Sequence, residues 1–331
     1  MTHEATGRTT MTSQQAEEFA AEVSQIGAAV NSFIQGKPEV VSLCLTAMLA
    51  SGHVLLEDVP GVGKTSLARS FAGAFGTDWQ RIQFTPDLLP GDVTGVSVFH
   101  QDTNTFVFHP GPIFSHVVLA DEINRASPRT QSALLEVMEE RTVTIDGHPH
   151  PVPNPFLVMA TQNPVEMDGT YPLPEAQLDR FLIKTRMGYP DHGAEVRVLT
   201  GEHGGAAIEN VERVSSPERI GALIASARTV YVAPSIIDYI VRLVGHTRTM
   251  QQFRLGSSPR GALGLLRASR VRAAMEGRPH VLPGDVQSLA EPVLSHRVLL
   301  SATFEISGGL PSDAIAEAVE VVPAPPQETG A

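Results

Sequence analysis

The stretch Leu55–Thr65, Leu-Leu-Glu-Asp-Val-Pro-Gly-Val-Gly-Lys-Thr, restricts this chain more than any other. The apolar run Val54–Leu56 predicts a short buried strand. A tight Pro/Gly turn follows and delivers Gly63-Lys64-Thr65 to the start of a helix predicted over Ser66–Phe75. Strand, glycine turn and helix in that order build a phosphate cradle. The glycines let backbone N–H groups point inward, the helix N-terminus adds partial positive charge, and Lys64 adds a full one. The residues expected to line it are Val59, Pro60, Gly61, Val62, Gly63, Lys64, Thr65 and Ser66. A chain carrying this segment is expected to bind a nucleoside triphosphate. One position departs from the usual G-x-x-x-x-G-K-[ST] spacing: Asp58 stands where the first glycine falls, and Pro60-Gly61 is expected to supply the turn instead.

The 331 residues allow one large or two moderate domains, and 42% hydrophobic content supports a proper core. A net charge of −12 disfavours a surface that coats nucleic acid. Lysine occurs only at Lys37, Lys64 and Lys184, so arginine carries nearly all remaining positive charge. The lone cysteine, Cys44, sits between Leu43 and Leu45 and reads as a helical core residue, with no disulfide framework. Residues 1–13 lack an apolar core of the kind a signal peptide needs and are expected to be unstructured. Val40–Ala50 is too short to span a bilayer. The default expectation is a soluble cytoplasmic protein.

Apolar residues Phe19, Val23, Ile26 and Val30 share one face of a helix predicted from Ser13 to about Ile34, and a second helix is predicted over Pro38–Ala50. Strands then alternate with helices: Ile82–Phe84, Val117–Ala120, Phe156–Thr161 and Leu182–Met187 as strands, Arg129–Glu140 as a helix. This alternation predicts a parallel α/β sheet with five strands and helices on both faces. Two hairpins interrupt it. One spans Gly95–Phe108, with Asp102-Thr103-Asn104 at its tip. The other spans Thr142–Val152 around Asp146-Gly147, and its return arm, holding Pro149 and Pro151, is expected to be an edge strand. A looser joint is expected near Gly188–Gly205, then a small all-α domain with helices over Pro217–Arg228, Ser235–Thr247, Ala262–Glu276 and Pro283–Ser295. Leu243, Leu263 and Leu266 are expected in its core. The expected boundaries are 14–190 for the α/β domain, 191–320 for the helical one, and a disordered tail over 321–331.

Hydrolysis needs a Mg²⁺ ion, an oriented water and compensation for charge on the transferring phosphoryl group. Val117–Ala120 runs into Asp121-Glu122. Asp121 is expected beside Thr65, holding Mg²⁺ directly or through water, and Glu122 to polarise the attacking water. Asn163, after the Phe156–Thr161 strand, is a candidate to hydrogen-bond that water or the γ-phosphate. Arg180 fits an arginine finger entering a neighbouring subunit's site; the competing reading is a surface ion pair with Asp179 or Asp191. Arg260, at the start of a helix in the small domain, is a candidate to reach back to the γ-phosphate. His148 and His150 lack partners at metal-ligand spacing. Arg125, Arg129 and Arg141 are either interface residues or solvated ones.

With these residues in hand, the chain resembles the MoxR family of AAA+ ATPases. The resemblance rests on Gly52-His53-Val54-Leu55-Leu56-Glu57, Pro60-Gly61-Val62-Gly63-Lys64-Thr65, Leu119-Ala120-Asp121-Glu122-Ile123-Asn124-Arg125-Ala126, Gln131-Ser132-Ala133-Leu134-Leu135-Glu136, Ala160-Thr161-Gln162-Asn163-Pro164, Leu173-Pro174-Glu175-Ala176-Gln177-Leu178-Asp179-Arg180-Phe181, Ser258-Pro259-Arg260 and His296-Arg297. These cover about residues 20–300. A missing first glycine in the phosphate loop is common in that family. The resemblance implies an AAA+ module with a C-terminal lid, the two hairpins being a helix-2 insertion and a pre-sensor-1 hairpin. It implies ATP and Mg²⁺, a homo-oligomeric and hexameric ring with sites between subunits, and a chaperone-like motor that assembles, matures or activates partner complexes. Partners with a von Willebrand factor A domain are implied too. The competing classes are a nucleic-acid-translocating motor, which the acidic balance and non-basic hairpin tips disfavour, and a magnesium-chelatase-like subunit that drives metal insertion.

Overall fold

The computed structural model describes residues 10–326 apart from 35, 60, 164–169, 190, 191, 194, 195 and 197–210. The chain divides into two compact units: Gln25–Gly221, and Met1–Ser24 together with Ala222–Ala331.

The first unit is built on a five-stranded parallel sheet. Its strands are β1 (Val54–Glu57), β2 (Trp79–Gln83), β5 (Val117–Asp121), β8 (Leu157–Gln162) and β9 (Ile183–Thr185), in the order β2-β5-β8-β1-β9. Every residue of β5 is buried, so both faces of the sheet are covered, as parallel strands require. Leu55, Val118, Ala120, Val158 and Ala160 pack with Leu134, Leu135 and Met138 of α5 (Pro128–Glu140) and with Phe84 and Phe181. Each Leu, Val, Met or Phe among them contributes about 1.5–3 kcal/mol on burial, and the alanines less. Ser127 caps α5 by accepting from Thr130 N–H. The expected fifth strand, Leu182–Met187, is shorter. Its last backbone N–H groups are taken by the Asp58 carboxylate rather than by a ladder partner.

Both expected hairpins form. β3 (Gly95–His100) pairs antiparallel with β4 (Thr105–Pro110), and β6 (Thr142–Ile145) with β7 (His148–Pro151). The second turns through Asp146 and Gly147 with φ of 52° and 80°, the positive values a two-residue primed turn demands. The first buries little: Phe106 is 70% exposed, and Val96, Val98, Phe99 and Val107 are exposed too. The two hairpins meet where the His150 ring stacks on Phe108, with centroids 4.2 Å apart.

The second unit is helical, with helices over Pro217–Ala227 (starting in the first unit), Pro234–Thr247, Pro259–Met275, Pro283–Leu294, Ala302–Ile306 and Pro311–Val321. It adds a two-stranded ribbon that the helical reading did not contain, β10 (Phe253–Leu255) against β11 (Leu299–Leu300). Leu243 is buried as expected, but Leu263 is 60% exposed. It shares the solvent face of its helix with Arg260 and Arg267, while Gly261, Gly264, Leu265 and Ala268 form the buried face.

The expected domain limits shift. Val214 and Ser215 N–H groups donate to the Ala74 carbonyl, so residues up to 221 stay with the first unit rather than leaving at 191. Helix α1 (Ser13–Phe33) gives its N-terminal half to the second unit. Of the segment expected to be unstructured, residues 1–9 lie outside the described residues. Met11 is buried, and its N–H donates to Thr229 at 3.0 Å. At the other end Val322 is buried and Arg242 donates to the Pro323 carbonyl, so order extends past 321; residues 327–331 lie outside the described residues.

Candidate functional site

Parallel strands carry their loops to the same edge, so the C-terminal ends of β1, β5 and β8 lie together. Each delivers part of the site. β1 ends in Glu57 and passes into the phosphate loop. Gly61 and Gly63 have φ of 86° and 93°, a region other residues reach only under strain. Gly63 caps α3 (Lys64–Phe75), which places Lys64, Thr65 and Ser66 in the first turn. Pro60 lies outside the described residues. Lys64 is 8% exposed, and its Nζ donates to the Asp58 and Val59 carbonyls at 3.0 and 3.3 Å.

Asp58 does more than yield a glycine position. Its carboxylate accepts the backbone N–H groups of Met187 and Gly188, and its own N–H donates to Gln162 at the end of β8. One residue therefore ties the phosphate loop to both flanking strands. Beside it Glu57 pairs with Lys184 and Arg186 at 2.9 and 2.6 Å. Burial works to raise the Glu57 pKa, but the two cations more than offset it and hold the carboxyl below its usual range.

β5 ends in Asp121, which is 8% exposed. Thr161 on β8 donates its hydroxyl to Asp121 Oδ1 at 2.6 Å and accepts the Glu122 N–H at 2.8 Å. A single buried hydroxyl thus sets both acids. Glu122 has φ of 57°, a left-handed conformation rare outside glycine, which turns its side chain out of the strand direction. Its Oε2 accepts from Gln83 at 2.8 Å and from Arg125 at 3.1 Å. Asp121 Oδ2 accepts from Arg81 at 2.6 Å. Gln131 braces the turn that follows, donating to the Ile123 and Ala126 carbonyls. Asn163, just past β8, is buried.

Arg180 lies apart from this cluster. It pairs with Glu139 of α5 at 2.9 Å, on a polar groove lined by Glu136, Glu140, Thr144 and Gln177; Asp191, one expected partner, lies outside the described residues. Arg260 belongs to the second unit, at the start of a helix that Ser258 caps. Its guanidinium and that of Arg228 lie near Arg267, whose pKa is lowered by desolvation first and by these like charges second. Arg141, expected to be an interface or a solvated residue, is only partly exposed and is held by the backbone. It donates to the Phe156 and Ser51 carbonyls and lies over the Phe156 ring.

Several residues here escape a linear reading. Thr161, Arg81 and Gln83 become visible only when β2, β5 and β8 are set side by side. The Thr65 hydroxyl and the Asp121 carboxylate, the residues that would hold a cation, offer oxygen donors, and α3, which carries Thr65, packs against β5. Such hard donors suit Mg²⁺, which is usually held by one or two carboxylates together with substrate phosphates. Among the described residues no group of three or more His, Cys, Asp or Glu is arranged to hold a metal ion, and no helix is long and apolar enough to cross a membrane.

Comparison with known proteins agrees with this geometry. Residues 53–183 match the ATPase family associated with various cellular activities (AAA), and residues 245–318 match the AAA lid domain. The uncharacterized protein YeaC of Bacillus subtilis is 49% identical over 91% of this chain and 94% of its own. Chaperone MoxR1 of Mycobacterium tuberculosis is 43% identical over 86% of this chain and 78% of its own. Protein MoxR of Methylorubrum extorquens is 33% identical over 88% and 92%. A crystal structure of a Cytophaga hutchinsonii protein superposes with a TM-score of 0.88 at 34% identity, covering 94% of this chain and 97% of that one. Phosphate loop, paired acids at a strand end, lid and relatives agree, and the chain belongs to the MoxR family of AAA+ ATPases, enzymes that hydrolyse ATP.

Proposed function

We propose that this ATPase works as a chaperone-like motor in a homo-oligomeric ring, converting ATP hydrolysis into the assembly or activation of partner proteins. The observation that carries the proposal is the meeting of phosphate loop, Asp121-Glu122 and Asn163 at one edge of the sheet, on neighbouring strands β1, β5 and β8. In this reading the backbone N–H groups of Val59 and of Gly61 to Ser66 cradle the phosphates, with Pro60 shaping the turn, and Lys64 leaves the Asp58 and Val59 carbonyls for the phosphate oxygens. Thr65 and Asp121 would hold Mg²⁺, which when bound supplies charge neutralisation at the phosphates. Glu122 orients the attacking water and takes its proton as the water oxygen bonds to the γ-phosphorus and the bond to the ADP oxygen breaks. Asn163 hydrogen-bonds the same water or the γ-phosphate. Arg260 answers to the γ-phosphate from the lid, and Arg180 exchanges Glu139 for the nucleotide of the next protomer. A hexamer and a partner with a von Willebrand factor A domain complete the reading; the relatives named chaperone and MoxR support the chaperone role.

Lys64→Ala should abolish ATP binding and turnover. Glu122→Gln should keep binding and lose turnover. Mixing Arg180→Ala with Glu122→Gln protomers should regain part of the activity each lacks alone. Full activity in a strictly monomeric dilute sample would refute the between-protomer site.

A further inference from the structure

β2 and β5 run in parallel register, with Arg81 opposite Leu119 and Gln83 opposite Asp121. Strand alternation puts Arg81 and Gln83 on one face. The Arg81 guanidinium reaches along that face to a single oxygen: its Nη2 and Nε donate to Asp121 Oδ2 at 2.6 and 3.1 Å. The same Nη2 donates to Gln83 Oε1 at 2.6 Å, and Gln83 Nε2 donates to Glu122 Oε2 at 2.8 Å. The two acids of the site are therefore joined through one arginine and one glutamine.

The exposures of the pair differ. The Asp121 side chain is 11% exposed and the Arg81 side chain 46%. A carboxylate that deep in the protein needs a positive partner, because an unpaired buried charge is costly. An arginine that open to water leaves easily, because solvent replaces its bonds. Thr161 already occupies Oδ1. Oδ2 takes both Arg81 bonds, so a second cation that binds there has to compete with Arg81.

We propose that Arg81 is the resting counter-cation of Asp121, holding the oxygen that Mg²⁺ takes when nucleotide arrives. Loading the site is then an exchange of one cation for another. The departure of Arg81 also removes its bond to Gln83, and with it the support of Gln83's hold on Glu122. Arg81 is a positioning residue: it acts through Asp121 and takes no part in holding the nucleotide or the attacking water. The inference rests on the reading of Asp121 as the Mg²⁺ ligand.

The test is a Mg²⁺ titration of the binding of a fluorescent N-methylanthraniloyl-ADP to the full chain, with no turnover involved. Arg81→Gln should reduce the Mg²⁺ concentration for half-maximal binding by about two- to fivefold, the scale of one partly exposed ion pair. Without Mg²⁺ or nucleotide it should melt at lower temperature than wild type, and saturating Mg²⁺–ADP should close that gap. Arg81→Lys, which keeps the cation but loses the two-nitrogen grip on Asp121, should fall between Arg81→Gln and wild type. An unchanged or increased Mg²⁺ requirement in a folded Arg81→Gln protein would overturn the proposal, as would an equal shift in Arg81→Lys. Asp121→Asn separates the two readings. If it leaves the Mg²⁺ dependence intact, Asp121 is not the ligand and both fall. If it raises the Mg²⁺ requirement while Arg81→Gln changes nothing, only the counter-cation role falls.

Discussion

Asp58→Ala removes a carboxylate that accepts two backbone N–H groups, those of Met187 and Gly188. A buried donor left without a partner costs about 1–3 kcal/mol. Met187 is buried and takes the full cost, whereas Gly188 is half-buried and water replaces part of its bond. The loss is therefore about 2–4 kcal/mol. In a unit of this size that lowers Tm by roughly 5–15 °C. The effect reaches the nucleotide, because the Asp58 carbonyl accepts from Lys64 Nζ and its N–H donates to Gln162. Once the loop shifts, ADP binding should weaken by about tenfold for each 1.4 kcal/mol lost at the phosphates. Asp58→Asn keeps an oxygen for one of the two N–H groups and should fall between alanine and wild type. Urea unfolding and fluorescent-ADP binding measure the two effects. An Asp58→Ala protein within about 0.5 kcal/mol of wild type, the range of an ordinary surface substitution, would show that the latch holds nothing.

Thr161→Val deletes the hydroxyl shared by Asp121 and the Glu122 N–H; it should destabilise the chain by about 1–3 kcal/mol and slow turnover, while Thr161→Ser restores both. Glu57 is held below its ordinary pKa of 4.5, with burial opposing and Lys184 and Arg186 prevailing. A lowered folded pKa contributes stability that is fully present above the unfolded value and lost as pH falls through the folded one. Glu57→Gln should therefore flatten the fall in stability below about pH 4.5, read from denaturant midpoints across an acid series. Cys44 is fully buried, and burial pushes its thiol up to about 12. It should resist iodoacetamide in the native protein and react after unfolding, as mass spectrometry would record.

Local pattern carried most of the architecture. Short apolar runs marked β1, β5 and β8, because a strand buried on both faces must be apolar throughout; the expected Ile82–Phe84 strand overlaps only the end of β2, whose Gln80 and Arg81 are exposed. Asp146-Gly147 marked its turn because few other pairs take two positive φ angles. The stripe Phe19, Val23, Ile26 and Val30 marked the buried face of α1. Pattern failed where burial depends on what lies opposite. Leu263 looks like a core residue by spacing, yet it is exposed among the described residues, and Arg141 looks like a surface charge, yet its guanidinium finds two backbone carbonyls.

Sequence by itself determined the phosphate loop and the paired acids, because those functions depend on residues adjacent in the chain. A glycine turn into a helix makes its own field of N–H groups, and two carboxylates at a strand end need only the strand. The tertiary structure alone decided how those parts are held. The order β2-β5-β8-β1-β9 brings Arg81 and Thr161 within hydrogen-bond reach of Asp121, although each lies 40 positions from it along the chain. It also turns Asp58, which reads as a missing glycine, into an acceptor for N–H groups 129 and 130 residues away. Hydrogen bonds of that span leave no trace in local composition, because the spacing that satisfies them is set by the sheet and not by the chain.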